Sequence, residues 1–392
     1  MTILFGPRIY AEKGILKNTS LIIRDNQIHA FEAEKKNSSD EVFIFPDTYH
    51  IVPGFIDVHV HGANGFDVMD ATPHALESIS QALAMEGTTA WLATTMTASL
   101  DEIDRAMKNT GDYIAENKKI TGAALLGIHL EGPFLSPEKS GAQNKKYLLP
   151  PRVDYFKNFQ KKSRDTIKLV TLAPELPNAC ELIHFLKTQN IVASIGHTNA
   201  TFTETMAAID AGCSHVTHLF NAMRGMHQRE PGVVTAGLLS DKLSTELIVD
   251  GIHLHPSIVD LVFRIKQPEK MILVTDAMRA KCLKDGLYDL GGQAVHVADK
   301  KATLPDGTLA GSVLDMISAM RNMMAFTNCH LQDVIRFVSE NPARMLGIFN
   351  KKGSLLPGKD ADLVVLDEAL NVVLTMVSGK IVYQKQTETR GS

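Results

Sequence analysis

Several features are scarce in this sequence of 392 residues. Its four cysteines form no Cys-x-x-Cys pair, so neither a disulfide framework nor a cysteine-based zinc motif is indicated. No apolar run approaches the about 20 residues of a membrane-spanning helix, and the start lacks the pattern of a signal peptide. The net charge of −4 offers no basic surface for nucleic acid or an anionic membrane. We therefore expect a cytoplasmic protein with reduced thiols and with neither nucleic acid nor membrane as a partner.

The two ends of the chain share a sequence pattern that the middle lacks. Short apolar runs alternate with turn residues in the first 50 residues, where "RDNQ" is a hairpin signal, and again in the last 40. This pattern predicts a small β-sandwich domain built from both termini, residues 1–52 and 355–392. The intervening residues 53–354 would then form a separate, larger unit.

The middle of the chain alternates apolar strands with helical periodicity. We predict strands at 55–60, 89–94, 124–131, 168–173, 191–196, 214–219, 245–250 and 271–276. Segments such as "TPHALESISQALAMEG", "SLDEIDRAMKNTGDYIAENK" and "PNACELIHFLKTQN" between them have helical spacing. Eight parallel β/α units close a barrel, so the predicted fold class is α/β, a (β/α)8 TIM-like barrel.

The first predicted barrel strand ends in two histidines, in "FIDVHVHG". Because successive side chains of a strand point to opposite faces, His59 and His61 share one face. Two neutral imidazoles on one face form half of a metal site. Taken alone, the H-x-H pattern fits a pair of hydrogen-bonded core histidines equally well.

Four other predicted strands also end in residues that can ligate a metal. These are Glu131, His197, His218 and Asp276. The carboxyl ends of barrel strands meet at one rim, and buried groups of this kind are costly unless they are paired. The sequence therefore predicts a divalent metal centre of Zn, Fe, Mn or Co, with His59 and His61 among its ligands. A metal with an aspartate beside it suits hydrolysis of an amide or a related bond.

Three further histidines have less certain roles. His215 is out of phase with His218, which favours a packing or supporting role. His129 lies deeper than Glu131, so hydrogen bonding and ligation are equally open to it. His253, in "DGIHLHP" after the seventh predicted strand, fits a structural position or a position facing a ligand.

Longer motifs make the chain resemble a known family over nearly its full length. "HLEGPF" joined to "HLFNAM", "REPG" and "TLAGS" resembles the N-acetylglucosamine-6-phosphate deacetylases of the amidohydrolase superfamily. The H-x-H pattern and the tail "PGKDADLVV" mark only the superfamily. The resemblance implies deacetylation of N-acetyl-D-glucosamine 6-phosphate to D-glucosamine 6-phosphate and acetate, in amino-sugar catabolism and recycling.

The same resemblance implies roles for particular residues. Glu131, His197 and His218 would hold one metal, and His59, His61 and Asp276 a second, with one or two ions per subunit. Asp276 would be the catalytic acid and base. The residues implied in substrate contact are Ala142, Gln143, Asn221, Ala222, Arg229, His253, Leu309, Ala310 and Gly311. Arg229 would reach the sugar phosphate of the neighbouring subunit in a homodimer.

Other readings of the sequence remain open. Gln143 replaces a histidine of some family members, which leaves the glucosamine or galactosamine epimer undecided. A cyclic-amide hydrolase is less favoured, because the fourth predicted strand ends "VTLAPE", without the lysine that many of those enzymes carboxylate. A catalytically silent scaffold should have lost ligands, whereas this chain keeps all six.

Overall fold

The computed structural model describes residues 1–6, 8–33, 41–116 and 119–385. Residues 7, 34–40 and 386–392 of the proposed small domain lie outside the described residues, as do residues 117–118 of a predicted helix. No helix within the described ranges is both long enough and apolar enough to cross a membrane.

Short strands dominate the N-terminal segment. They are β1 (Thr2–Phe5), β2 (Arg8–Ala11), β3 (Gly14–Leu16), β4 (Ser20–Arg24), β5 (Gln27–Glu32), β6 (Glu41–Ile44) and β7 (His50–Pro53). Strands β4 and β5 pair in antiparallel fashion around Asp25 and Asn26, which have φ angles of 50° and 71°. Asn and Asp adopt such left-handed angles more readily than other non-glycine residues, and this makes the tight turn possible. The hairpin predicted at "RDNQ" is thus confirmed.

A single sheet of parallel strands forms the middle of the chain. Its members are β8 (Phe55–Val60), β11 (Thr88–Thr94), β12 (Ala124–Glu131), β13 (Ile167–Leu172), β14 (Val192–Ile195), β15 (His215–Val216), β16 (Ser244–Leu247) and β17 (Met271–Leu273), and a small hairpin of β9 (Gly62–Ala63) and β10 (Phe66–Asp67) follows β8. Each strand pairs with the next, and a parallel bridge between Val60 and Ala277 joins the last strand's end to the first. The predicted eight-stranded TIM-like barrel is confirmed.

A helix follows each strand of the barrel. The helices are α1 (Pro73–Met85), α2 (Leu100–Glu116), α3 (Val153–Lys162), α4 (Ala179–Thr188), α5 (Phe202–Ala211), α6 (Gly232–Leu239), α7 (Pro256–Ile265) and α8 (Met316–Thr327). Local sequence sets their starts: Thr72 Oγ1 accepts a hydrogen bond from Ala75 N at α1, and Thr201 and Glu204 form a capping box at α5. Short 3-10 turns lie at Val68–Asp70, Pro137–Lys139, Lys145–Tyr147 and Pro268–Lys270.

The last three barrel strands are shorter than the apolar runs that predicted them. Strand β15 keeps only two of the six residues expected at 214–219, and β17 stops at Leu273. Beyond them the backbone turns left-handed, with φ of 29° at His218 and 48° at Asp276. Residues in that region cannot continue a strand, so the backbone leaves the ladder where the candidate ligands lie.

The remaining strands lie outside the barrel. Strands β18 (Gly286–Leu290), β19 (Gln293–Ala298) and β20 (Lys301–Thr303) form an antiparallel sheet between β17 and α8. After α8 come α9 (Leu331–Ile335), a π-helical turn (Arg336–Glu340) and α10 (Asn341–Met345), then β21 (Leu363–Leu366), β22 (Val372–Val377) and β23 (Lys380–Gln384). The segment 277–292 thus includes the first strand of a small sheet.

Both chain ends contribute to one sheet. Strand β21 pairs with β7, giving the order β23-β22-β21-β7-β2-β3, while β5-β4-β1-β6 form a second sheet. Residues of the two sheets share an apolar core, which includes Leu4, Leu21, Ile51 and Leu374. This arrangement supports the proposed small domain of 1–52 and 355–392 beside a barrel of 53–354, and we retain those boundaries as a prediction.

Candidate metal centre and active site

All six predicted metal ligands meet at the carboxyl end of the barrel strands. They form two groups, His59 with His61 and Asp276, and Glu131 with His197 and His218. Every one of these side chains is buried. Within each group the potential ligand atoms lie within 4.8 Å of one another. Residues from five separate strand ends are therefore gathered at one place, as the sequence predicts.

Glu131 lies between the two groups. Its Oε1 is 3.2 Å from His218 Nε2 and 3.3 Å from His197 Nε2. Its Oε2 is 3.2 Å from His61 Nε2. Asp276 Oδ1 lies 3.2 Å from the same His61 nitrogen. One carboxylate thus faces ligand atoms of both groups, which places the two candidate metal positions next to each other.

The geometry of these atoms fits a divalent ion. Two ligands bound to one ion at about 2.1 Å lie about 3.0–3.4 Å apart in octahedral or tetrahedral coordination. The separations around Glu131 and Asp276 fall in that range. His59 Nε2, 3.3 Å from Asp276 Oδ1, has no good hydrogen-bond partner among the described residues although it is buried. A buried ring nitrogen without a hydrogen-bond partner is, once it has lost its proton, the usual imidazole ligand for a metal. The residues present therefore fit a divalent metal site.

The charges around the site also favour a cation. In the metal-free protein, burial alone would lower the pKa of His61, but hydrogen bonds and charges from Asp276 and Glu131 raise it to about 9. The same balance holds for His59, whose pKa is raised by the carboxylates of Glu131, Asp276 and Glu246. The charges and hydrogen bonds of His59, His197 and His218 in turn hold the pKa of Glu131 well below its usual value in spite of its burial. The cluster thus requires positive charge, which either protons or a metal can supply.

Three of the six candidate metal ligands have a strained backbone conformation. His197, His218 and Asp276 have φ angles of 46°, 29° and 48°. Such angles are rare for residues other than glycine, and they persist where the surrounding structure holds them in place. Their occurrence at three strand ends that converge on one cluster is typical of a functional site.

A buried carboxylate that the sequence analysis did not single out supports the cluster. Glu246, on β16, is fully buried, and its Oε2 lies 2.9 Å from His59 Nδ1. The same oxygen accepts a hydrogen bond from the backbone N of His218 at 3.1 Å. Oε1 of Glu246 lies 2.9 Å from His215 Nε2. The supporting role predicted for His215 is therefore observed, and Glu246 is the group that it contacts.

Two other buried groups lie close to the ligands. Asp57, also not singled out, accepts hydrogen bonds from His59 N and from the Thr275 hydroxyl. His129 has Nε2 2.7 Å from Thr171 Oγ1 and packs its ring against His59. Burial, with the nearby His59 charge adding to it, lowers the pKa of His129 to about 3, so this ring is neutral. Of the two roles open to His129, the structure thus favours the hydrogen-bonded one.

A cavity of about 280 Å³ opens above the cluster. Of the residues that the resemblance implies for substrate contact, those that line it are Ala142, Gln143, Asn221, Ala222, His253, Leu309 and Gly311. Ala310 is fully buried and does not line the cavity. Met96 and Leu290 also line it, although no motif in the sequence indicated them, and so does Thr308, the first residue of the "TLAGS" motif. Arg229 is exposed and lies outside the cavity of its own chain.

Two cavity residues are held by specific contacts. Gln143 Nε2 donates to Glu131 Oε2 at 2.8 Å, and its Oε1 accepts from Thr97 N at 2.7 Å. His253 Nδ1 lies 2.6 Å from Asp250 Oδ2, a contact that leaves Nε2 for other partners. Gln143 thus holds a candidate ligand in place, and His253 lines the cavity with its ring fixed by Asp250.

The fold and the site define a class of hydrolase, and comparison with known proteins agrees. A sequence model described as the Amidohydrolase family matches residues 50–382, so the chain belongs to that family. An N-acetylglucosamine-6-phosphate deacetylase of Bacillus subtilis is 47% identical over 378 residues, 96% of this chain and 95% of that protein. An N-acetylgalactosamine-6-phosphate deacetylase of Escherichia coli is 37% identical, covering 97% and 98%.

A solved structure adds a ligand-bound relative. It is a mutant N-acetyl-D-glucosamine-6-phosphate deacetylase of Mycobacterium smegmatis in complex with N-acetyl-D-glucosamine-6-phosphate. It matches this chain with a TM-score of 0.90 and 32% identity, covering 97% of this chain and 99% of that one. Within the family, the chain therefore groups with the sugar-phosphate deacetylases.

Proposed function

We propose that this chain hydrolyses the acetamide of N-acetyl-D-glucosamine 6-phosphate, giving D-glucosamine 6-phosphate and acetate in amino-sugar catabolism and recycling. The observation that carries this proposal is the cluster of Glu131, His197, His218 and Asp276 on the floor of the cavity. It occurs in a chain 47% identical, over nearly its whole length, to a deacetylase of this substrate. We further propose that the protein acts in the cytoplasm.

The proposed metal is held by the side chains already described. Glu131, His197 and His218 would hold one divalent ion of Zn, Fe, Mn or Co, and His59, His61 and Asp276 a second. A bound ion supplies Lewis-acid chemistry, polarising the acetamide carbonyl and making water more acidic. Because the H-x-H pair is present and both groups are buried, we favour two ions over one.

Proton transfer is assigned to Asp276, which lines the cavity. Its carboxylate would accept a proton from the attacking water and return it to the amine nitrogen as the carbon–nitrogen bond breaks. In the metal-free protein, burial raises its pKa, but the charges of His59 and His61 bring the pKa below its ordinary value. Asp276 is therefore ionised at neutral pH and able to act first as a base.

Sugar binding is assigned to the cavity walls. Backbone and side-chain groups at 142–143, 221–222 and 309–311 would contact the hydroxyls, and the free Nε2 of His253 would contact the phosphate end. Arg229 is exposed and lies in the loop between β15 and α6. We propose that it serves the neighbouring subunit of a homodimer, because a guanidinium binds phosphate oxygens bidentately.

The galactosamine epimer is the principal alternative, since a relative at 37% identity is named for it. The higher identity to the glucosamine enzyme favours the first substrate. Acetate release from both 6-phosphates, measured side by side on metal-loaded protein of known metal content, tests the choice. If metal-loaded, folded protein hydrolyses neither sugar phosphate, the proposal is refuted and the reading of the chain as a catalytically silent scaffold remains. Faster hydrolysis of the galactosamine substrate would select the alternative.

A further inference from the structure

One buried carboxylate contacts both candidate metal positions without being a candidate ligand of either. Glu246 lies in the middle of β16, and none of its surface is exposed. Its Oε2 is 2.9 Å from His59 Nδ1 and accepts a hydrogen bond from the backbone N of His218. The carboxylate therefore connects a candidate ligand of one metal position with the backbone of a ligand of the other.

This contact determines which nitrogen of His59 can bind a metal. An ionised carboxylate can only accept hydrogen bonds, so Nδ1 must carry the proton in the contact with Glu246. The other nitrogen of a neutral imidazole is then an unprotonated donor, and His59 Nε2 lies 3.4 Å from Glu131 Oε1 and 3.3 Å from Asp276 Oδ1. The ring of His129 packs edge-on against His59, with 4.6 Å between centroids. These contacts fix the orientation of the His59 ring, and in the neutral ring that binds a metal the Glu246 contact would also fix the tautomer.

The other imidazoles of the cluster are held differently. His197 Nδ1 lies 3.0 Å from the backbone carbonyl of Lys139. The Nδ1 atoms of His61 and His218 have no hydrogen-bond partner among the described residues. Within the part of the chain that the structure describes, His59 is thus the only one of the four rings whose far nitrogen contacts a carboxylate.

We propose that Glu246 is a positioning residue, which holds His59 as the Nε2 donor and thereby sets the affinity of the His59, His61 and Asp276 position for its metal. The proposal rests on the two metal positions of the proposed function, but it does not depend on which sugar is hydrolysed. Loss of a supporting partner of this kind typically lowers metal affinity about 10–100-fold. The effect should fall on the His59 position more than on the Glu131 position, because Glu246 contacts His218 only through its backbone.

The experiment measures metal binding directly. Glu246→Leu, Glu246→Gln and wild type would be stripped of metal, reloaded, and titrated with a competing chelator while bound metal per chain is counted. We expect two bound ions per chain in wild type, and one of them should be lost about 10–100-fold more readily in Glu246→Leu. Glu246→Gln should lose less, because its amide oxygen can still accept the His59 proton.

Two further variants separate positioning from a general loss of structure. In a His59→Asn background, Glu246→Leu should cause little additional change in metal affinity, because it acts through a ring that is already gone. Glu86→Gln alters another buried carboxylate, which contacts Lys281 and not the cluster, so it should keep both bound ions. Circular dichroism would verify that each variant is folded.

The outcomes are distinct. The proposal would be overturned if a folded Glu246→Leu variant bound both ions with wild-type affinity, or if the wild type bound only one ion. It would also be overturned if Glu246→Leu lowered metal affinity equally in the wild-type and His59→Asn backgrounds. Two bound ions with no turnover of either sugar phosphate would refute the proposed function and leave this inference intact.

Discussion

A buried ion pair beside the barrel allows a stability prediction with a definite size. Lys281 Nζ lies 2.6 Å from Glu86 Oε1, and these side chains are 1% and 8% exposed. Glu86 caps the end of α1, and its Oε2 accepts a hydrogen bond from Met316 N at the start of α8. Lys281 belongs to the segment that follows Asp276. The pair therefore connects the chain just beyond Asp276 to the end of α1 and the start of α8.

Lys281→Met should destabilise the protein strongly, because it leaves the Glu86 carboxylate buried without its cation. Removing one partner of a buried pair costs about 3–5 kcal/mol. The entropy of unfolding is about 2.1 cal/mol/K per residue, which for this chain gives about 0.8 kcal/mol/K in total. The variant should therefore melt about 4–6 °C below the wild type.

The loss should also depend on pH. Burial raises the pKa of the Glu86 carboxyl, and the Lys281 charge opposes that rise. Without Lys281 the folded-state pKa of Glu86 rises further above its unfolded value. Such a group stabilises the fold at low pH and loses that contribution as pH rises through the folded pKa. The Lys281→Met penalty should accordingly be larger at about pH 8 than at about pH 5.5.

Thermal unfolding of metal-loaded protein, followed by circular dichroism, measures both effects. Glu86→Gln combined with Lys281→Met should recover most of the loss, since no uncompensated charge stays buried. The matched control is Arg264→Met, which removes an exposed partner of Asp260 and should cost less than about 1 kcal/mol. A Lys281→Met variant that melts with the wild type, or a double variant no more stable than the single one, would refute this reasoning.

Three further predictions concern the active site. Chelation should abolish acetate release, and full activity after verified metal removal would contradict this. Because His61 is protonated at neutral pH in the metal-free protein, reloading the metal should release protons, which calorimetry in buffers of different ionisation enthalpy can count. Asp276→Asn should still bind the sugar phosphate but lower kcat about 10²–10⁴-fold, whereas a change of only a few-fold would assign proton transfer to another group. Arg229→Ala should raise KM for the phosphorylated sugar far more than for N-acetylglucosamine. Mixing the Arg229→Ala protein with the Asp276→Asn protein should restore partial activity through mixed dimers. If activity does not recover although subunits are shown to exchange, the site is not shared between subunits.

The positions of the candidate ligands could be predicted because they depend on local pattern and topology alone. His59 and His61 end an apolar run, and so do Glu131 and Asp276. In a parallel barrel, every such end lies at the same rim, so identifying the strands also locates the residues. The apolar runs did not indicate where each strand ends. The left-handed backbone at His218 and Asp276 depends on the contacts that bring the cluster together, and not on local propensity.

Glu246 was not predicted because it interrupts a strand instead of ending one. In "STELIVD" the glutamate precedes the apolar residues, where a charged side chain is equally typical of the exposed start of a strand. Its burial follows only from its partners, His59 and His215, which lie 187 and 31 residues away along the chain. A single sequence contains no local signal for contacts of that range.

The residues that line the cavity show the same difference between what local sequence pattern predicts and what long-range contacts determine. The family resemblance implies the segments at 142–143 and 309–311 because they belong to contiguous motifs. Met96, in the loop after β11, and Leu290, at the end of β18, line the same space but form no motif. Gln143 illustrates the consequence: the family resemblance implies a sugar contact, and the structure shows in addition that its amide contacts Glu131 and Thr97. Residue type and position along a strand therefore predict which groups can reach the site. Which atom of each group is free to bind metal or substrate depends on its tertiary hydrogen bonds, and only the folded chain shows these.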